Sequence, residues 1–483
     1  MLAEACTPQL KRESDPALLP EPETRFQDVI GQFPQLKSYN QGLMVFALDD
    51  KTARDAVTAA LEGAINCIVA QVPWLGEQVI CVGKCAGHSG QFTTAPWPGD
   101  DAAPAGGPAK RLLHVRDRTA VCPSFDELVE RGCPISMLDG ALLCPLPSFP
   151  LSYDEAQIGP APVVAVQASF INGGLILNFS NQHNAMDASG IFVFIALLAA
   201  ALQGQALPPD VVQAANLDRS SVIPLLEPGQ PIRDHSHLKI NHPPPAAPAS
   251  PPGPARWACF RLFKEHAPRI KAAASVAADF DPSVRFVSTN DALSAFYWKR
   301  LAAVRLAHGG ATPAARSKFS RAIDARAAMR VPRGYMGQMI YHAATYLSYG
   351  ELASDELTLS AVASRLRVDL NASNNEWAVR SYATFLASVP DKSTLVYGGG
   401  LNTALDVGSS AMPVSSPTAL KFGLLGVPTF SRRANLTPVP GLMYVYPPER
   451  DTGDLPVLVC LPDEDLEGLK MDREWGACTQ LVG

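Results

Sequence analysis

Residues 173–202 read GGLILNFSNQHNAMDASGIFVFIALLAAAL. The apolar run 174–179 fits a buried strand, and the apolar block 191–202 is long enough for a buried helix. Between them lies a polar junction that carries His183 and, four residues on, Asp187, with Ala188, Ser189 and Gly190 leading into the helix. A strand-to-helix junction holds a side chain at the edge of a rigid sheet, where it can face a cleft. His183 is thereby placed as a general base. The bare spacing also has a plainer reading, in which His183 is a satisfied junction histidine and Asp187 an N-cap or first-turn carboxylate favoured by the helix dipole.

The surroundings decide between them. HNAMDASG after a strand and before an apolar helix resembles the HxxxD signature of the BAHD-type acyl-CoA-dependent acyltransferases, and most of all their fungal branch, which includes trichothecene 3-O-acetyltransferase. Three later segments are similar to family segments in the same order: STNDALSAFYWKR at 288–300, IDARAAMRVPRGYMGQ at 323–338, and LKFGLLG at 420–426, a degenerate Asp-Phe-Gly-x-Gly motif. The likeness runs from about residue 30 onward. Four departures stand out. Ala188 replaces the glycine after the motif aspartate, Gln338 the asparagine of Tyr-Phe-Gly-Asn, Lys421 the aspartate of Asp-Phe-Gly, and Leu425 the second glycine, with Gly426 one place later. Gln182 stands where peptide-synthetase condensation domains have the first histidine of their pair, which disfavours that class.

The resemblance implies an α/β chain with the two-domain chloramphenicol-acetyltransferase-like fold and an active site at the domain interface. It implies acyl transfer, most often of acetyl, from acyl-CoA to a hydroxyl of a fungal secondary metabolite, with no metal. His183 would be the base and Asp187 would hold the loop. Arg326 would pair with an aspartate at the position of Lys421. Here two cations would meet, so Asp324 is expected to accept the Arg326 guanidinium and Lys421 to turn to solvent. Phe422, Gly423 and Gly426 would complete that structural motif.

Length and composition agree with a protein of this kind. At 483 residues the chain exceeds a single core, so two domains of roughly 200 residues are expected. Hydrophobic residues make up 47% and charged residues 18%, an ordinary globular balance. A net charge of -6 without a large basic block disfavours nucleic acid as a partner. The N-terminus lacks the order of a signal peptide, and the longest apolar block, 191–202, is too short to span a bilayer. A soluble, cytoplasmic monomer is expected. Ten cysteines are scattered without CxxC spacing, which fits reduced thiols and no metal site.

Along the chain, residues 1–24 are expected to lie over the surface. A strand at 42–47, a helix over 50–70 stopped at 73–76, and a strand at 78–82 follow. The stretch 94–110 reads as a loop, 125–131 as a short helix, and 162–179 as a hairpin whose second strand delivers His183. The proline-rich segment 240–255 reads as a stiff linker. It divides the chain into a domain over 1–239, a linker over 240–256 and a domain over 257–483. His235, His237 and His242 beside it read as solvated. Later come a strand at 257–263, a helix over 289–307 capped by Thr289 or Asn290, a strand at 321–326, a helical stretch over 360–386, and a strand pair at 441–446 and 455–460. Gly398, Gly399 and Gly400 lack the features of a phosphate cradle. The serine-bearing stretch 409–416 reads as flexible, with its hydroxyls and amides as candidate oxyanion donors.

No G-x-S-x-G elbow is present, so a serine hydrolase is disfavoured. The alternatives are a binding or scaffold protein on this fold and an enzyme with altered chemistry, either of which the change at Lys421 would fit.

Overall fold

The structure is a computed structural model, and it describes residues 25–26, 28–49, 52–97, 107–148, 161–240, 253–412 and 419–483. Its strands form three sheets. The four-stranded sheet joins β1 (Arg25–Phe26), β4 (Gln91–Ala95), β3 (Gln78–Val82) and β6 (Ala161–Pro162) in that order. The five-stranded sheet has the order β13-β2-β8-β7-β5, namely Phe430–Arg432, Tyr39–Ala47, Gly174–Gln182, Val164–Ile171 and Leu113–Asp117. The seven-stranded sheet has the order β11-β10-β12-β14-β15-β9-β16. These are Ile340–Ser348, Arg316–Asp324, Val407–Ala411, Leu442–Val445, Leu455–Pro462, Ala255–Leu262 and Thr479–Leu481.

Every residue of β7 and β8 is buried, which is what a continuous apolar run in the middle of a sheet produces. The two strands pair antiparallel through the turn at Asn172 and Gly173, where Gly173 takes a φ of 70°. β8 extends to Gln182, three residues past the apolar run, because its polar end pairs with Tyr39, Asn40 and Gln41 of β2. The helix after the junction runs over Ala188–Leu202 with Asp187 as its N-cap. The helix Thr289–Ala307 is capped by Ser288, not by Thr289 or Asn290. Ser288 shares a reciprocal capping box with Asp291.

Several expectations need correcting. Thr94 and Ala95 belong to β4, and the expected loop closes with a helical turn at Ala109–Leu112. The helical stretch in the second half is two helices, Leu359–Ser373 and Glu376–Ser388, with Asn375 capping the second. Ser409 and Ser410 are in β12, held between β10 and β14 rather than in a flexible segment. His235 is buried, and its Nε2 lies 3.1 Å from Ser381 Oγ. It is packed, not solvated, because the chain before the linker lies against the helix Glu376–Ser388. Residues 1–24, the linker stretch 241–252 with His242, and Ser415 and Ser416 lie outside the described residues.

The division at 240–256 does not partition the sheets. β13, from the second half, pairs antiparallel with β2 in the first-half sheet. Phe422 and Leu425 are buried in the first-half core, and the Phe422 ring meets Phe46 edge to face at 5.2 Å. Burial of a side chain of that size contributes about 1.5–3 kcal/mol. Gly423 is required at its place: its φ is 54°, and a Cβ there would lie 2.2 Å from the Leu202 carbonyl oxygen. A further apolar cluster bridges the halves, with Ile30, Phe33 and Leu238 against Ile323, Tyr341 and Val379. We expect a chain cut at a protease site inserted into the 240–255 linker to elute from a sizing column as one species, because the shared sheet and this cluster still join the pieces. Separation into two species would show that the linker itself holds them together.

Candidate active site

The junction between β8 and the helix Ala188–Leu202 is held by its own amides. Gln182 Oε1 accepts from the backbone of Asn184 at 2.7 Å and of Ala185 at 3.2 Å, and Gln182 Nε2 donates to Asn184 Oδ1 at 2.9 Å. Asn184 Nδ2 donates to the carbonyls of Gly31 and Phe33, and Asn181 Nδ2 to that of Met186. Arg219 donates to the Ala185 carbonyl at 2.6 Å, its guanidinium 4.2 Å from the centre of the Trp74 ring. The turn carrying His183 therefore has little freedom to move.

Asp187 is fully buried. Its Oδ1 accepts from Gly190 N and Arg326 Nη2, and its Oδ2 from Arg326 Nη1 and Met339 N, all at 2.8–2.9 Å. Arg326 lies just beyond the end of β10, not within the expected strand. Its remaining donors go to Asp324 Oδ1 at 3.0 Å, Tyr335 O at 3.1 Å and Gly337 O at 2.7 Å. All five guanidinium N–H groups are thus used. Burial works against the charge on Arg326, but Asp187 and Asp324 outweigh it and keep the guanidinium protonated. Asp324 also accepts from Ser189 Oγ at 2.7 Å. Lys421 is exposed and has no part in this joint. Arg326 meets Asp187 and Asp324 instead, so the two cations do not confront one another.

His183 is partly buried. Its backbone N–H donates to Ser38 O at 2.8 Å. Nδ1 is buried and has no hydrogen-bond partner among the described residues. Burial pushes the imidazole below its ordinary value, with Arg433 adding to the effect and its own backbone carbonyl and Asp187 opposing it.

Two residues near His183, Tyr397 and His342, carry no sequence signal. The Tyr397 ring stands edge-on to His183 at 6.2 Å and to His342 at 4.9 Å. Tyr397 Oη donates to Ile340 O at 3.0 Å and accepts from Gln338 Nε2 at 3.2 Å. Burial, with Lys318 and His183 adding to it, pushes His342 down to about 4. Behind Gln338, the buried Asp28 accepts from Tyr335 Oη and from Gln338 N. Gly337 allows this, since a Cβ there would lie 2.2 Å from Asp28 Oδ2. Asp28 and Arg219 stand outside every motif, and only the packing brings them in. Among the described residues, neither Ser409 nor Ser410 hydrogen-bonds His183, and no group of three His, Cys, Asp or Glu side chains is placed to hold a metal ion.

Removing one member of a buried, saturated ion pair strands the other, at a cost of about 3–5 kcal/mol. We expect Arg326→Met to lower the melting temperature sharply and activity with it. Lys421→Asp should leave both melting temperature and turnover close to those of the parent chain; a large loss of either would give Lys421 a role of its own.

Residues 38–202 match the family described as Trichothecene 3-O-acetyltransferase-like N-terminal domain, and residues 146–475 match the Transferase family. The chain is similar to O-acyltransferase pigD of Monascus ruber, at 43% identity over 96% of this chain and 100% of that protein. It is also similar to trichothecene 3-O-acetyltransferase TRI101 of Fusarium sporotrichioides, at 33% identity over 94% of this chain and 96% of the relative. The crystal structure of F. graminearum TRI101 with coenzyme A and deoxynivalenol superposes with a TM-score of 0.85, at 30% identity, covering 95% of this chain and 100% of that one. Vinorine synthase, 14% identical, has the same fold, with a TM-score of 0.61. The chain belongs to the Transferase family, in its trichothecene 3-O-acetyltransferase-like branch, and is an acyl-CoA-dependent O-acyltransferase.

Proposed function

We propose that the chain moves an acyl group, acetyl in the first instance, from acyl-CoA to a hydroxyl of a fungal secondary metabolite, with His183 as the general base. The observation that carries this reading is the placement of the His183 ring: partly exposed, on a turn held by the hydrogen bonds of Gln182 and Asn184, and beside the Asp187–Arg326 pair. The names of four relatives 33–43% identical, O-acyl- or O-acetyltransferases, support the reaction class.

In the proposed step, Nε2 takes the proton of the acceptor hydroxyl as its oxygen bonds to the thioester carbonyl carbon. When the tetrahedral intermediate collapses, the C–S bond breaks, and Nε2 returns the proton to the departing thiolate. The thioester is already activated, so a base and a stabilised oxyanion suffice. Asp187 acts on this step through position alone, since both its oxygens are engaged with Arg326, Gly190 and Met339. The exposed Lys421 gives no reason to infer lost catalysis.

His183→Ala should lower turnover by about 10²- to 10⁴-fold while the melting temperature holds. Residual activity above about a tenth of the parent's is incompatible with the base role. Because burial lowers the pKa of His183, the neutral base is already present at pH 7. The rate kcat/KM should therefore fall as pH drops through that lowered pKa, below about 6.5, and stay level above it. A profile still climbing beyond about pH 8 would assign the base to another group.

A further inference from the structure

β11 is the outermost strand of the seven-stranded sheet, and a cavity of about 200 Å³ lies beside it, walled also by residues 233–238 and by the helix Glu376–Ser388. Strand alternation sends His342, Ala344 and Tyr346 to one face, and all three line the cavity. The His342 ring is the link to the proposed chemistry, because the Tyr397 ring meets it edge-on at 4.9 Å and also meets His183 edge-on at 6.2 Å.

The wall has a distinct chemistry. Tyr341 and Tyr382 line it with rings 5.5 Å apart, tilted by 35°. Its formal charges are engaged within the protein. Arg233 donates to Ala372 O and Ser373 Oγ, and Asp234 accepts from Ser236. Nearby Lys318 donates to the carbonyls of Gly399 and Gly400. His342 differs from these. Its Nδ1 is buried without a partner against Gly398, and the ring lines the cavity. Polar ring atoms in a mostly buried site are normally satisfied, and those that are not call for a ligand or another explanation.

We propose that this cavity receives the acceptor, and that His342 Nε2 recognises it through a hydrogen bond to a carbonyl or hydroxyl oxygen other than the one that is acylated. The acceptor is then a planar, oxygenated ring system, because aromatic walls favour a flat molecule. Burial and the neighbouring Lys318 keep the imidazole neutral, so it can either donate or accept. The assignment rests on the transfer reading above, with His342 as a positioning residue and His183 as the base.

The test uses the full chain and two probes of similar size: umbelliferone, a planar phenol with a lactone carbonyl, and a naphthol without one. Fluorescence titration in the absence of acyl-CoA should show umbelliferone bound about tenfold more tightly than the naphthol. His342→Phe, which keeps a ring but no nitrogen, should abolish that preference, and His342→Gln, which restores an amide N–H and carbonyl, should recover most of it. With acetyl-CoA present, His342→Phe should raise the KM for umbelliferone about tenfold, with a smaller change in kcat. Equal affinities for parent and His342→Phe, no umbelliferone binding at all, or a loss confined to kcat would each overturn the proposal. A preference that depends on His342 but comes with no release of CoA would uphold the pocket and refute the transfer reading instead.

Discussion

The geometry of the site depends on the bidentate pair between Asp187 and Arg326. Asp187 begins a helix of the first half and Arg326 follows a strand of the second, so one ion pair joins the two at the foot of the turn that carries His183. Two charges leave water to make it, a loss that only good geometry and complete hydrogen bonding offset. Both conditions are met, since every guanidinium N–H and both carboxylate oxygens have partners. A lysine in place of Arg326 could not reproduce the planar fork. The pair therefore fixes distance and angle between the halves more than it adds to stability.

The regular elements around this joint were legible because apolar periodicity and capping residues point the same way. β8, the helix after it, the helix Thr289–Ala307 and the antiparallel pair β14–β15 all follow from local pattern. Their ends were less legible. β8 outruns its apolar stretch because a neighbouring strand supplies partners for polar residues, and no local signal reports a neighbour. β12 was hidden for a related reason: a serine- and glycine-bearing strand reads as loop until parallel strands on both sides satisfy its backbone.

The site divides in the same way. His183, Asp187, Asp324 and Arg326 stand in quoted motifs, and the structure brings the last three into one hydrogen-bonded group beside the first. With a lysine in place of the motif aspartate, Asp324 was expected to accept the Arg326 guanidinium and Lys421 to turn to solvent; the structure has both, and adds Asp187 as the second partner of Arg326. Phe422 is a buried ring against Phe46, and Gly423 makes a close backbone contact with Leu202. Tyr397, His342, Asp28 and Arg219 were unreadable because each is a lone polar residue whose meaning comes from groups distant in sequence, from 34 positions for Arg219 and Ala185 to 307 for Asp28 and Tyr335.

The crossing of β13 into the first-half sheet has a consequence for how the chain is made. A ribosome releases the first half well before residues 430–432, so β2 emerges with one edge unpaired and with the place of Phe422 against Phe46 unfilled. An exposed strand edge beside open apolar surface is a template for pairing with another chain. The first half cannot complete its sheet until nearly nine-tenths of the sequence has been translated. Folding of this enzyme is thereby tied to the end of synthesis, and truncated chains lacking the last sixty or so residues should collect in aggregates rather than as a soluble first half.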